Sequence, residues 1–280
     1  MTRMIDLHVH TTASDGTFTP SDVVLLAKKA GLAAMAITDH DTVNGIEEAV
    51  NKAKEESFEL IPGIEFTVGD TENIHIIGLY IDYKNNELTN VVEVMKNNRL
   101  ERNQKLIDNI KREGFDVSYE KICDVMNTDN VGRLHIAHYM QKKGMANDYR
   151  KIFKKFLIPG AKTYVPMKNV SEEQGIQAII KSGGIPVLAH INYLKQNKDE
   201  TEKTVKRLMG YGLRGIEVFY SGYDKSTERL AHEISEKFIL IKSGGTDFHG
   251  TRRPGVYLGT GRGNMCVPYE LLIDIKKELG

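Results

Sequence analysis

The chain has 280 residues, of which 40% are hydrophobic and 27% charged, and 38 Lys and Arg residues balance 38 Asp and Glu residues. This is the composition of an ordinary globular protein, and the zero net charge argues against non-specific binding of duplex nucleic acid. Two cysteines, Cys123 and Cys266, are too few for a disulfide framework and favour a reducing cytoplasm. No apolar run near the N-terminus predicts a signal peptide or a membrane span.

Short apolar segments alternate with segments of helical periodicity along most of the chain. A helix between successive strands implies parallel pairing, and about seven such units favour a closed α/β barrel over an open sheet. The predicted strands are 4–10, 34–38, 60–68, 74–81, 185–190, 215–219 and 238–245, and the predicted helices are 20–31, 43–56, 87–112, 171–183, 200–211, 224–237 and 269–279.

The region 101–165 interrupts this alternation, because it contains only short helical segments such as 118–127. We therefore expect a barrel built from 1–100 and 166–280, with 101–165 as a small all-helical insertion that covers the substrate. Residues 101–170 contain 14 Lys and Arg against 8 Asp and Glu. This excess suits an anionic substrate, although a solvated helical face would explain it equally well.

Histidines and acids cluster within or just after the predicted strands. His8 and His10 alternate along the first strand, so both imidazoles project to one face and can reach one ion. In a βα barrel the carboxyl ends of the strands converge on one rim, where active sites form. Imidazole with carboxylate suits Zn²⁺, Fe²⁺ or Mn²⁺, and nine candidate ligands fit three divalent ions better than one or two. The candidates are His8, His10, Asp15, His40, Glu65, His75, His190, Asp247 and His249.

Asp6 and Asp39 lie beside these candidates without belonging to them. We predict that both accept hydrogen bonds from ligand imidazoles and fix the orientation of the rings. The alternative is that they are simple solvent-facing acids.

Six ordered motifs carry a resemblance to a known family: "DLHVHTTASDGTFTP", "AITDHDT", "PGIEF", "IHIIGL", "VLAH" and "GGTDFHG". They resemble the PHP (polymerase and histidinol phosphatase) family over nearly the whole chain. The resemblance implies a distorted (βα)₇ TIM-like barrel with a trinuclear centre at its rim. It also implies the grouping of the nine ligands: His8, His10, Glu65 and Asp247 on the first ion, Glu65, His75 and His190 on the second, and Asp15, His40 and His249 on the third.

Such a centre lowers the pKa of a bound water to about 7, so that hydroxide forms at neutral pH and attacks a phosphate ester. The hydroxide would be held by the first group, and Mn²⁺ is the expected activating ion, with Fe²⁺ and Zn²⁺ as alternatives. In the insertion, "VGRLHIAHYM" and "GAKTYVP" supply Arg133, His135 and Lys162. They resemble the nucleoside 3′,5′-bisphosphate phosphatase branch, some members of which trim 5′ ends of short RNA. The resemblance implies that these three residues bind the substrate phosphate remote from the metals; helix-packing or surface roles are the alternative.

Three other functions stay open. A histidinol-phosphate phosphatase would share the metal motifs. An amidohydrolase-type C–N hydrolase also begins with H-x-H, but such sites usually bridge their metals through a modified lysine where this chain has Glu65. A non-catalytic metal-binding module would have lost ligands. The expected protein is a cytoplasmic, monomeric metal-dependent phosphatase acting on a small phosphate ester or a short RNA 5′ end, without a membrane partner.

Overall fold

The computed structural model describes residues 3–71, 73–126, 128 and 130–280. The chain forms two compact units, one made of residues up to 92 together with 170–280, and one made of 93–169. The helices are α1 (Pro20–Lys29), α2 (Ile46–Glu55), α3 (Asn86–Arg112), α4 (Tyr119–Met126), α5 (Arg133–Lys142), α6 (Tyr149–Ile152), α7 (Glu172–Lys181), α8 (Lys198–Gly210), α9 (Lys225–Lys237) and α10 (Glu270–Leu279). Within the described ranges, every helix is too short or too polar to cross a membrane.

The first unit is a seven-stranded barrel whose strands lie side by side in chain order. Its strands are β1 (Ile5–Asp6), β2 (Ala34–Ile37), β3 (Glu59–Val68), β4 (Ile74–Leu79), β5 (Ile185–Leu188), β6 (Gly215–Tyr220) and β7 (Ile241–Gly245). The last strand returns to the first, where Leu7 N–H donates to the Gly244 carbonyl over 3.1 Å and Val9 forms a parallel bridge with Phe248. The predicted α/β barrel with an all-helical insertion is confirmed.

One strand does not run as predicted. Strand β4 is antiparallel to both β3 and β5, whereas the other neighbours are parallel. The physical reason is the connection: β3 ends at Val68 and β4 begins at Ile74, and so short a turn allows only a hairpin. No helix is predicted between 60–68 and 74–81, so parallel pairing was not implied for β3 and β4; it was implied for β4 and β5, which helical segments separate, and there the prediction was wrong. As a result, the start of β4 lies beside the end of β3, with His75 opposite Thr67.

The apolar side chains of β2 divide between two hydrophobic clusters. Ala34 and Ala36 pack with residues of β1, β4 and β5, while Met35 and Ile37 pack against α1 and α2. Alternate residues of a strand face opposite sides. Because both sides of such a strand are buried here, its sequence is a continuous apolar run. Helix α1 begins as its sequence indicates, with the Thr19 hydroxyl accepting from Asp22 N–H and Pro20 at the first helical position.

In the second unit all regular elements of the described residues are helical. They comprise most of α3, then α4, α5 and α6, which continues into a π-helical turn at Phe153–Leu157. The unit has its own hydrophobic core, which includes Leu106, Ile136, Met140 and Leu157. The predicted insertion 101–165 falls inside this unit, and Asn127, the end of one predicted helical segment, lies outside the described residues.

Candidate metal centre

The predicted ligands come from the rim where the parallel strands of the barrel end. His8 and His10 follow β1, His40 follows β2, and His190 follows β5. Strand β7 is followed by Asp247 and His249, and the loop after β1 supplies Asp15. Because β4 is antiparallel, its first residues also reach this rim and bring His75. All nine predicted side chains therefore come together, as their mutual distances show.

Glu65, fully buried in β3, lies at the middle of the cluster. Its Oε1 is 2.9 Å from His75 Nδ1 and 2.8 Å from His190 Nε2. Its Oε2 faces a different set of nitrogens, at 3.3 Å from His8 Nε2, 3.3 Å from His10 Nε2 and 2.9 Å from His40 Nδ1. The two oxygens thus point to two groups of imidazoles, as a bridging carboxylate would.

Two further carboxylates lie close to the histidines. Asp247 Oδ1 lies 3.1 Å from His10 Nε2, 3.6 Å from His8 Nε2 and 3.3 Å from His249 Nδ1. Asp15 Oδ1 lies 3.1 Å from His249 Nε2 and 4.0 Å from His40 Nε2.

The donor set fits divalent metal ions. His8 Nε2 and His10 Nε2 are buried and make no hydrogen bond to the described residues, although carboxylate oxygens lie 3.1–3.6 Å away. Burying such atoms unsatisfied is unfavourable, but ligands about 2.1 Å from one ion are themselves about 3.0–3.4 Å apart. The ligand atoms form four groups, and within each group all of them lie within 4.8 Å of one another. The groups are His10, Asp15, His40 and His249; His8, His10 and Glu65; His8, His190 and Asp247; and His40, Glu65 and His75.

The electrostatics of the cluster follow from this packing. Burial opposes ionisation of Glu65, yet His40, His8 and His75 hold the pKa of its carboxyl well below the usual value. Burial likewise opposes protonation of His40, but Glu65 and Asp15 raise the pKa of its imidazole to about 10. Metal ions bind neutral imidazole, so divalent cations take the place that protons hold in their absence.

A protein-family comparison identifies the chain. The family described as "PHP domain" matches residues 6–211, which contain seven of the nine clustered ligands. The chain belongs to the PHP family. Its predicted activity as a metal-dependent phosphoesterase is confirmed at the level of the family.

Curated PHP relatives align with most of the chain. A 5′-3′ exoribonuclease of Haemophilus influenzae is 30% identical over 250 residues, covering 89% of this chain and 91% of the relative. A 3′,5′-nucleoside bisphosphate phosphatase of Chromobacterium violaceum is 29% identical and covers 91% of this chain and 90% of its own. A 5′-3′ exoribonuclease of Salmonella typhimurium is 32% identical, and the match covers 87% of this chain and 84% of the relative.

Solved structures support the fold over the full length. A candidate metal-dependent phosphoesterase of Bifidobacterium adolescentis superposes with a TM-score of 0.85 at 26% identity, covering 98% of this chain and 95% of that one. A Chromobacterium violaceum protein named as an amidohydrolase, solved with sulfate and without metal, also superposes with a TM-score of 0.85. It is 27% identical, and the match covers 98% of this chain and 96% of that one.

One buried acid that contacts two of the predicted ligands was not predicted from the sequence. Glu217 is fully buried in β6, where its Oε1 lies 3.1 Å from His8 Nδ1 and its Oε2 accepts from His190 N–H over 2.8 Å. A proton on Nδ1 shared with Glu217 leaves His8 Nε2 free to face Glu65 and Asp247. The available signal was an acid in the apolar strand "GIEVF", the same signal that identified Glu65.

Asp6 and Asp39 have partners other than those predicted. Asp6 accepts from Thr246 N–H and hydroxyl over 2.9 and 2.6 Å and from Gly259 N–H over 2.9 Å, and burial raises the pKa of its carboxyl to about 6. Asp39 accepts from Thr11 N–H and hydroxyl and from the Ser14 hydroxyl. Neither accepts from an imidazole of the described residues. They instead fix the backbone beside Asp247 and the loop that carries Asp15.

We expect Glu217→Gln to weaken binding of divalent metal about 10- to 100-fold, the usual cost of losing such a partner. The amide keeps the volume but removes the charge that stabilises the Nδ1–H tautomer of His8. Isothermal titration of metal-free protein with Mn²⁺ measures the change. Glu236→Gln, at an exposed ion pair with Lys242, is the matched control. Equal affinity in both variants would show that Glu217 serves packing alone.

The predicted substrate residues lie in the second unit. Arg133 begins α5, donates from Nη1 to the Leu157 carbonyl over 3.1 Å and lies 5.5 Å from the Phe153 ring centre. His135 is buried, and its Nδ1 accepts from Gly132 N–H over 2.9 Å at the start of the helix. Lys162 is exposed and lies 2.6 Å from a Glu113 carboxylate oxygen. Their part in substrate binding stays a prediction.

Proposed function

We propose that this protein is a phosphatase that acts on nucleoside 3′,5′-bisphosphates, and on the 5′ ends of short oligoribonucleotides, with three divalent metal ions at the rim of the barrel. The observation that carries the proposal is the convergence of six imidazoles and three carboxylates on one rim. The activities named for the relatives, a bisphosphate phosphatase and exoribonucleases, support this class of substrate.

The distances support three groups of ligands. His8, His10, Glu65 and Asp247 would hold the first ion, because each of the two Nε2 atoms lies 3.1–3.6 Å from Glu65 Oε2 and from Asp247 Oδ1. Glu65 Oε1 with His75 and His190 would hold the second, and Asp15 with His40 and His249 the third. We propose Mn²⁺ as the activating ion, with Fe²⁺ and Zn²⁺ as alternatives, since imidazole and carboxylate donors suit all three.

When bound, such ions activate water at neutral pH and neutralise the charge on phosphoryl oxygens. The protein supplies orientation. Glu65 holds imidazoles from four strands or strand ends around one buried carboxylate, so the donors are in place before substrate arrives. Glu217 fixes the ring of His8 and the backbone of His190. Burial of Glu65, His8 and His10 keeps bulk water from competing for their donor atoms.

We further propose that Arg133, His135 and Lys162 bind the second phosphate of the substrate. The guanidinium of Arg133 matches phosphate in a bidentate manner, and Lys162 provides a point charge. The same residues would bind the phosphodiester next to the 5′ end of a short RNA.

Arg133→Ala is expected to raise KM about 10-fold or more, since a hydrogen bond to a charged group contributes about 1.5–3 kcal/mol, and to change kcat much less. Steady-state kinetics with a nucleoside bisphosphate measure both constants. Arg150→Ala, at an exposed pair with Asp148 in the same unit, is the control. Equal damage to kcat and KM would contradict a role in positioning the remote phosphate.

The direct test is phosphate release from a substrate panel in the presence of Mn²⁺, Fe²⁺ or Zn²⁺. The panel contains adenosine 3′,5′-bisphosphate, a 5′-phosphorylated diribonucleotide and histidinol phosphate. We expect the first two to be hydrolysed fastest. A clear preference for histidinol phosphate would replace the nucleotide proposal, and inactivity on all three with every metal would reject it.

We also propose that the protein acts as a monomer in the reducing cytoplasm. Two cysteines, Cys123 and Cys266, are too few for a disulfide framework, which suits that compartment. Light scattering of the purified protein and redox-sensitive labelling in cells test the two points.

A further inference from the structure

Arg253, in the loop after β7, binds the ligand candidate Asp247 at two places. Its Nη1 donates to the Asp247 backbone carbonyl over 3.0 Å and also to the carboxylate oxygen Oδ2. Its Nη2 donates to the Tyr220 hydroxyl over 3.2 Å, and that hydroxyl in turn donates to Asp247 Oδ2 over 2.9 Å. Backbone and side chain of Asp247 are therefore tied to one guanidinium and one phenol.

The backbone of Asp247 needs such support. Its φ is +55°, in the left-handed region that non-glycine residues occupy at a cost in free energy. Its N–H donates to the His8 carbonyl over 2.8 Å, so the strained residue is also attached to the chain that carries two predicted ligands. Strained conformations of this kind persist where the surrounding contacts over-determine them.

The contacts divide the two carboxylate oxygens of Asp247 between separate tasks. Oδ1 faces His10, His8 and His249 at 3.1–3.6 Å. Oδ2 is occupied by Arg253 and Tyr220. With one oxygen held in this way, Asp247 presents a single oxygen to an ion, where a free carboxylate could rotate and offer two.

We infer that Arg253, supported by Tyr220, is a positioning residue that makes Asp247 a one-oxygen ligand of the metal centre. The inference rests on the proposed function, because it presupposes the ions. Two effects of the guanidinium oppose each other: it orients the carboxylate, and its charge repels a nearby cation. Orientation dominates in our proposal, so loss of Arg253 weakens metal binding rather than strengthening it.

The test is titration of metal-free protein with Co²⁺, followed by calorimetry and by visible absorption, which reports the ligand geometry around the ion. Arg253→Ala is expected to weaken Co²⁺ binding about 10- to 100-fold and to alter the absorption bands. Arg253→Lys keeps the charge, but a single ammonium cannot bind the Asp247 carbonyl, Asp247 Oδ2 and the Tyr220 hydroxyl as the planar fork does, so it should behave like Arg253→Ala. Arg214→Ala, at a surface pair with Glu278, is the control.

Tyr220→Phe gives an independent measurement if the arginine variants fold poorly. It removes one hydrogen bond to Asp247 Oδ2 and is expected to shift the same bands with a smaller loss of affinity. Failure of the unmodified protein to bind Co²⁺ would reject the proposed metal centre itself. Normal binding by the unmodified protein, with unchanged or tighter binding by Arg253→Ala and an unchanged spectrum in Tyr220→Phe, would overturn the positioning role alone.

Discussion

Glu65→Gln is expected to lower kcat by at least about 10³-fold, the largest effect of any single substitution considered, because activated water is lost with the ions. Glu65 is the only carboxylate of the described residues that lies within hydrogen-bond or ion-pair distance of five imidazoles, namely His8, His10, His40, His75 and His190. An amide offers one weak oxygen donor where two ions require two. Phosphate release at saturating substrate and Mn²⁺ measures the loss.

Thermal unfolding distinguishes this effect from misfolding. Metal at about 100 times its Kd stabilises a native protein by about 2.7 kcal/mol, so Mn²⁺ should raise the Tm of the unmodified protein and raise that of Glu65→Gln less, because only the group of Asp15, His40 and His249 stays complete in the variant. Glu59→Gln is the matched control, because Glu59 begins the same strand and pairs instead with Tyr269 and Lys276. Retention of more than a tenth of the activity by Glu65→Gln would contradict its bridging role.

Chelation is expected to abolish activity, and addition of Mn²⁺ to the metal-free protein should restore it more fully than Fe²⁺ or Zn²⁺. The reason is that the imidazoles and carboxylates of the rim would be occupied as metal ligands, so the attacking water would depend on the ions for its activation. Elemental analysis after reconstitution should give three ions per chain. The same analysis on His249→Ala should give two, because only Asp15 and His40 would remain for the third ion.

His232→Ala is the control for this stoichiometry, since His232 lies on α9 and makes an edge-to-face contact with Phe219 at a distance of 5.2 Å between ring centres. It should retain three ions. Two ions in the unmodified protein, or the same count in His249→Ala as in His232→Ala, would reject the three-ion grouping.

The ligands could be predicted from the sequence because each interrupts or follows an apolar segment. An unpaired imidazole or carboxylate is costly to bury there, so its presence indicates a binding partner. Glu65 and His190 are examples, and barrel geometry then brings strand ends together. Glu217 carries the same signal, but it lies inside β6 and its partner His8 is 209 residues away. Asp6 and Asp39 were correctly found beside ligands, yet their hydrogen-bond partners depend on tertiary contacts that spacing does not encode.

The pairing of β4 with β5 and the role of Arg253 also required the structure. Periodicity predicts that 74–81 is a strand but not its direction; the short gap after residue 68 already indicates a hairpin, and the antiparallel pairing of β4 with β5 across the insertion required the structure. The ties between Arg253 and Asp247 depend on the path of an irregular loop. Strand ends were less well predicted than strand positions: β1 comprises only Ile5–Asp6, and His8 and His10 extend beyond it.

The β3–β4 hairpin affects the order in which the centre can assemble during folding. Glu65 and His75 are ten residues apart, whereas Asp6 and Thr246, whose hydrogen bonds join the two ends of the barrel, are separated by 240 residues. Closing the longer loop costs about 3 kcal/mol more in chain entropy. The contact between Glu65 and His75 can therefore form locally and early, whereas His190 is 125 residues from Glu65 and the part that contains Asp247 forms only when the two ends of the chain meet. A nascent or truncated chain would therefore contain part of the ligand set before it contained the complete metal centre.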